Sequence, residues 1–119
     1  MTKALLAAML ATAMAVALTG PACGGGGGIY CTSENATKLT GTLTVKDFAF
    51  RPNCFSVASG STISVANGDA RAHNFTVKGT DIVVGLPAGG TGKATAPAPG
   101  KYDFLCTVHP AMTGTIIVT

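Results

Sequence analysis

The sequence has no tryptophan, only two histidines and few charges, with Asp, Glu, Lys and Arg making up 11% of its 119 positions. Eight basic residues against five acidic ones leave a formal charge of +3. There is no basic run, and no aromatics alternate with lysine or arginine. The chain therefore lacks the electrostatic footprint of a nucleic-acid binder. Its acids are scattered, so no carboxylate pair stands ready for glycosidase-type chemistry. The glycine run Gly24 to Gly28 is followed by no Gly-Lys-Ser/Thr and preceded by no strand pattern, which excludes a phosphate loop. No internal repeat is present. Beyond the first residues no apolar run is long enough to cross a bilayer.

What is present begins with residues 1–22. Lys3 supplies a short positive start, Leu5 to Leu18 is an apolar stretch, and Pro21-Ala22 ends in small residues before Cys23. This is the layout of an export signal. Cys23 followed by glycines resembles the acylated cysteine of bacterial lipoproteins, although Gly20 stands where that family usually has leucine. The expected product is an exported protein of the periplasm or cell envelope, either tethered to the membrane through a lipid on Cys23 or freely secreted. Residues 23–38 read as that attachment cysteine and a flexible tether, and 39–119 as the folded domain. Asn35-Ala36-Thr37 and Asn74-Phe75-Thr76 match the glycosylation pattern by chance in a chain with a bacterial-type signal.

From Leu39 onward the pattern is β. Thr40 to Phe50 is rich in threonine, valine and phenylalanine, and its parity changes between Leu43/Val45 and Phe48/Phe50, so a bulge or bend near Lys46-Asp47 is expected. Short strands follow at Cys54 to Ala58 and Ser61 to Asn67. In Ala72 to Lys78, His73, Phe75 and Val77 share the apolar face. Another strand is expected at Ile82 to Val84, with a loop over Gly85 to Gly92. After the break at Pro97-Ala98-Pro99-Gly100, Tyr102, Phe104 and Cys106 share a face, and Gly114 to Thr119 closes the domain. Seven or eight short strands without a helix predict an all-β fold, a Greek-key β-sandwich.

The chemistry concentrates in Cys106-Thr107-Val108-His109-Pro110-Ala111-Met112. A thiol, an imidazole and a thioether are spaced three residues apart. One thiolate with imidazoles and a weak thioether is a blue-copper ligand set. Such a site needs a second imidazole, and His73 is the only one left. Taken singly, each residue has an ordinary role: a core histidine, a buried thiol, a core methionine, an exposed loop histidine. Structural zinc would favour more cysteines and no thioether.

Cys-x2-His-x2-Met at a strand end, with Tyr102-x-Phe104-x-Cys106 before it and His73-Asn74 upstream, resembles the cupredoxins, the small blue-copper family. The short ligand loop is most similar to the amicyanin type. Phe50-x-Pro52, Gly60-x-Thr62-x-Ser64 and Asn67-x-Asp69 belong to the same resemblance, which covers residues 39 to 119. It implies one copper ion per chain held by His73, Cys106, His109 and Met112, with Met112 as a long axial ligand. It also implies that Asn74 ties its strand to the ligand loop, with Thr107 as partner, and that a backbone N–H donates to the Cys106 sulfur.

The implied function is single-electron transport outside the cytoplasm rather than enzymatic catalysis. Redox donor and acceptor proteins would dock briefly on an apolar patch of Val108, Pro110, Ala111 and Leu86-Pro87-Ala88 around His109. Copper storage or delivery is the rival, and a metal-free sandwich is a third reading. A multicopper oxidase would need further histidines, and a dinuclear copper site a second cysteine in the loop.

With Cys23 assigned to lipid and Cys106 to metal, Cys31 and Cys54 remain as a disulfide pair. The rival is a Cys23–Cys31 bridge that leaves Cys54 free.

Overall fold

A computed structural model describes residues 30–119. The expected export signal, the lipid-attachment Cys23 and the Gly24 to Gly28 tether lie outside the described residues. The described chain forms ten strands and no helix. They are β1 (Thr37–Lys38), β2 (Thr42–Lys46), β3 (Ala49–Arg51), β4 (Cys54–Val57), β5 (Thr62–Asn67), β6 (His73–Val77), β7 (Val83–Leu86), β8 (Thr91–Thr95), β9 (Gly100–Cys106) and β10 (His109–Val118).

These strands make an all-β sandwich. One sheet has the order β1-β4-β10-β9-β6-β7, the other β3-β2-β5-β8. The sheets are mixed: β4 runs parallel to β1 and β10, and β2 parallel to β5. Period-two alternation drives the packing, because successive side chains of a strand face opposite ways. Leu43, Val45, Ile63 and Val65 from one sheet, and Phe55, Phe75, Val77, Phe104 and Ile116 from the other, are fully buried in one shared core. Four phenylalanines form its centre. Phe104 lies 4.9 Å from Phe50, 5.6 Å from Phe55 and 5.1 Å from Phe75, centroid to centroid. Such pairs add about 0.5–1.5 kcal/mol each beyond the area they bury.

The architecture corrects the sequence reading in three places. The Thr40 to Phe50 stretch is not one bulged strand but a hairpin, with Lys46 opposite Ala49 and a two-residue turn at Asp47-Phe48. The parity change is the chain reversing direction. Both turn residues have positive φ, 51° and 58°, the conformation of a type I′ turn. A phenylalanine in that region is strained by roughly 1–3 kcal/mol. The expected loop over Gly85 to Gly92 instead contains the end of β7 and the start of β8. β8 was hidden because Thr91-Gly92-Lys93-Ala94-Thr95 is an edge strand with alternately exposed residues and no large apolar side chain. The last strand starts earlier than Gly114: β10 begins at His109, with an irregularity between His109 and Thr113.

Cys31 and Cys54 are joined by a disulfide 23 residues apart in sequence. It ties the segment before β1 to the first residue of β4. Replacing both cysteines by serine should lower stability by about 3 kcal/mol, from the chain entropy returned to a loop of this length, read from the midpoint of chemical denaturation.

Gly114 sits opposite Phe104 in the β9–β10 ladder. A Cβ added there would meet the edge of the Phe104 ring and the carbonyl oxygen of Asn53. Gly114→Ala should therefore destabilise the domain by about 1–3 kcal/mol through overpacking, measured by the same denaturation.

Candidate metal centre

Three elements supply the chemistry-bearing side chains. β6 presents His73 on the face it shares with Phe75 and Val77, and all three are buried. β9 ends at Cys106, whose side chain joins the core with Phe104. Thr107-Val108 then turns the chain, so that Cys106 and His109 stand opposite each other at the end of the β9–β10 hairpin. Directly opposed residues of an antiparallel pair project to the same face. Cys106 and His109 thus meet through the turn, and His73 joins them because β6 is the neighbour of β9.

The donor atoms converge. The Nδ1 atoms of His73 and His109 are 3.2 Å apart. The Cys106 Sγ lies 3.8 Å from the first and 3.9 Å from the second. The point equidistant from these three atoms is about 2.1 Å from each, within the roughly 2.0–2.3 Å at which a first-row metal bonds imidazole nitrogen and thiolate sulfur. Lone pairs this close repel one another unless a cation or proton lies between them. The donor set and its spacing therefore fit one metal ion. Met112 is 3% exposed and belongs to the core cluster that contains Cys106. Among the described residues, His73, Cys106 and His109 are the group of three His, Cys or acidic side chains close enough to share an ion.

The surroundings hold these donors in place. The Asn74 backbone N–H donates to the Cys106 sulfur at 3.4 Å. The Asn74 side-chain amide donates to the Thr107 hydroxyl oxygen at 2.7 Å, and its carbonyl oxygen accepts the Thr107 N–H at 3.0 Å. This two-way bond pins β6 to the turn between Cys106 and His109. The Thr76 hydroxyl donates to the same Asn74 oxygen at 2.8 Å.

Sequence reasoning assigned no role to Asp69 or Phe48. The Asp69 carboxylate lies 2.9 Å from His73 Nε2. An ionised carboxylate only accepts, so Nε2 donates to it, and Nδ1 is the ring atom turned toward Cys106. The Phe48 N–H, and beyond it the Asp47 N–H and the His73 ring, hold the Asp69 carboxyl below the usual carboxylate range against partial desolvation. Asn67 fixes the approach to this loop. Its amide donates to the carbonyls of Arg71, Leu86 and Pro87, and its oxygen accepts the Asp69 N–H. The signal for Asp69 was an acid four residues before the histidine, inside the turn-rich Asn67-Gly68-Asp69. Phe48 carried no signal, because alternation reads it as a strand residue.

The surface around His109 is mixed. His109 is partly exposed, and Val108, Pro110, Ala111, Pro87 and Ala88 are exposed. Leu86, expected in that patch, is instead a core residue paired with His73 across β6 and β7. It cannot face a partner.

A family model described as a cupredoxin-like domain matches residues 5–118. Among solved structures, an oxidized methionine-to-leucine variant of amicyanin is 21% identical with a TM-score of 0.59, over 66% of this chain and 80% of its own. A purple cupredoxin from Nitrosopumilus maritimus is 21% identical with a TM-score of 0.52, over 63% and 86%. A copper-containing nitrite reductase from Thermus scotoductus is 25% identical with a TM-score of 0.60, over 68% of this chain but only 22% of the reductase. No curated protein matches the sequence. With three donors converging at the end of a β-sandwich and a family model spanning nearly its whole length, the chain belongs to the cupredoxin-like domain family.

Proposed function

We propose that this chain is an extracytoplasmic blue-copper protein that carries single electrons at one mononuclear site, with His73, Cys106, His109 and Met112 as ligands. The observation that carries the reading is the convergence of two imidazole nitrogens and one cysteine sulfur on a single point. Copper bound there supplies a Cu(II)/Cu(I) couple. The rest is done by the chain. Cys106, His73 and His109 would hold the ion, Cys106 supplying a strong, polarisable sulfur donor, and the Met112 thioether would be a weaker donor able to tune potential. The Asn74 N–H withdraws charge from the sulfur. Donors held by packed strands and by the Asn74–Thr107 pair are pre-organised, which would keep the barrier to electron transfer low.

Export rests on the apolar N-terminal segment, and a disulfide between Cys31 and Cys54 suits an oxidising compartment. A lipid on Cys23 would keep the carrier at the membrane. Both histidines of the sequence are used by the one site, which favours a carrier over a catalyst that needs a second metal centre. Partners are small redox proteins that dock on the exposed Val108, Pro110 and Ala111 around the His109 edge.

Stoichiometric Cu(II) should give an intense thiolate charge-transfer band and a narrow copper hyperfine splitting in electron paramagnetic resonance, both abolished in Cys106→Ala. A copper-loaded protein without that band contradicts the site. A carrier also retains metal through repeated reduction and oxidation, whereas a delivery protein surrenders Cu(I) to a competing chelator.

Asn74→Ala removes both bonds to Thr107. It should weaken copper binding about 10–100-fold, the usual effect of losing a group that orients ligands, as measured by competition with a chelator. Ala111→Gln, outside the ligand set, should slow electron exchange with a protein partner by about tenfold, equivalent to about 1.4 kcal/mol of barrier. Its optical spectrum should stay unchanged.

A further inference from the structure

The β2–β3 turn lies against the site although no ligand comes from it. The Phe48 ring stands edge-on to both imidazoles, 5.3 Å from His73 and 5.0 Å from His109 between centroids, at interplanar angles of 85° and 81°. Its side chain is large and apolar, yet the residue is 47% exposed, so hydrophobic burial alone does not explain its position. Its backbone is in the left-handed region that non-glycine residues avoid, as is that of Asp47. Such strain persists only where surrounding bonds over-determine it. Here those bonds come from one carboxylate. Asp69 Oδ1 accepts the Asp47 N–H at 2.8 Å, and Oδ2 accepts the Phe48 N–H at 2.9 Å. The same Oδ2 meets His73 Nε2 at 2.9 Å.

We propose that Asp69 is a positioning residue that acts on both imidazoles at once: it orients His73 directly, and it holds Phe48 as a cover across His73 and His109. This rests on the metal-site reading above, but its geometry concerns the protein alone. The carboxylate fixes the Nε2–H tautomer and leaves Nδ1 free to bind a metal. The same carboxylate keeps the strained turn in place, and through it the ring that shields the two imidazoles from water and from small external ligands. No hydrogen bond joins Asp69 to His109; the partners of the carboxylate are Asp47, Phe48 and His73. An effect of Asp69 on His109 must therefore pass through Phe48 or His73.

That indirect link is the test. In the metal-free protein, nuclear magnetic resonance reads the His109 ring protons, whose shifts carry the ring current of Phe48. Phe48→Gly suits the positive φ, so it should fold well. It should move the His109 protons toward their values in an unstructured peptide. Asp69→Ala, which leaves Phe48 in the sequence, should move them in the same direction and by a comparable amount. The double variant should add little further.

In the copper-loaded protein, Asp69→Ala should weaken Cu(II) binding about 10–100-fold and raise the reduction potential, because negative charge beside the ligand is lost. Phe48→Gly should admit azide, seen as a change in the optical spectrum at concentrations that leave the wild type unaltered. The proposal is overturned if Asp69→Ala leaves the His109 protons at wild-type positions, or if Phe48→Gly does not move them. If the wild type takes up no Cu(II) with a thiolate band, the metal reading fails while the metal-free resonances still decide the proposal.

Discussion

The site depends on β6 lying against β9 in one register. Thr76 stands opposite Leu105 and Val77 opposite Phe104. A slip of one residue would turn His73, Phe75 and Val77 to the other face of the sheet together. Phe75 and Val77 are fully buried, and fully burying such side chains is worth roughly 1.5–3 kcal/mol each. The aromatic core thus decides where His73 points before any ligand-like interaction is made. The Asn74–Thr107 pair then locks that register at the end where Cys106 and His109 emerge. Donors placed by the core, rather than by a metal, are pre-organised, and that is the property that single-electron exchange requires.

The second constraint is a compact chain around the donors. Cys106 and His109 face each other through a two-residue turn, and Met112 returns to the core at the irregularity in β10. On the far side Asn67 and Asp69 gather backbone groups from three segments onto two side chains. All the buried side-chain nitrogens and oxygens of the described residues have hydrogen-bond partners. A fully satisfied polar network next to an aromatic core resists rearrangement.

Much of this was legible in the sequence because two periods dominate it. Alternation exposed the faces of β5, β6 and β9 and set His73, Phe75 and Val77 together. The three-residue spacing from Cys106 to Met112 marked the donor loop. What alternation cannot report is a change of direction. The Asp47-Phe48 turn lacks the glycine or asparagine that marks a type I′ hairpin, because its conformation is held from outside by Asp69, twenty-two residues away. β8 escaped notice for the opposite reason: an exposed edge strand buries too little to leave a pattern. Leu86 looked like a surface residue beside Pro87 and Ala88, yet its place opposite His73 makes it core.

X-ray absorption at the copper edge of the loaded protein measures the central claim most directly, since it counts and identifies the atoms bound to the metal in each valence. The account predicts one short sulfur contact and two imidazole nitrogens, with distances almost unchanged on reduction. A copper ion coordinated without sulfur, or one that loses an imidazole on passing from Cu(II) to Cu(I), would contradict it.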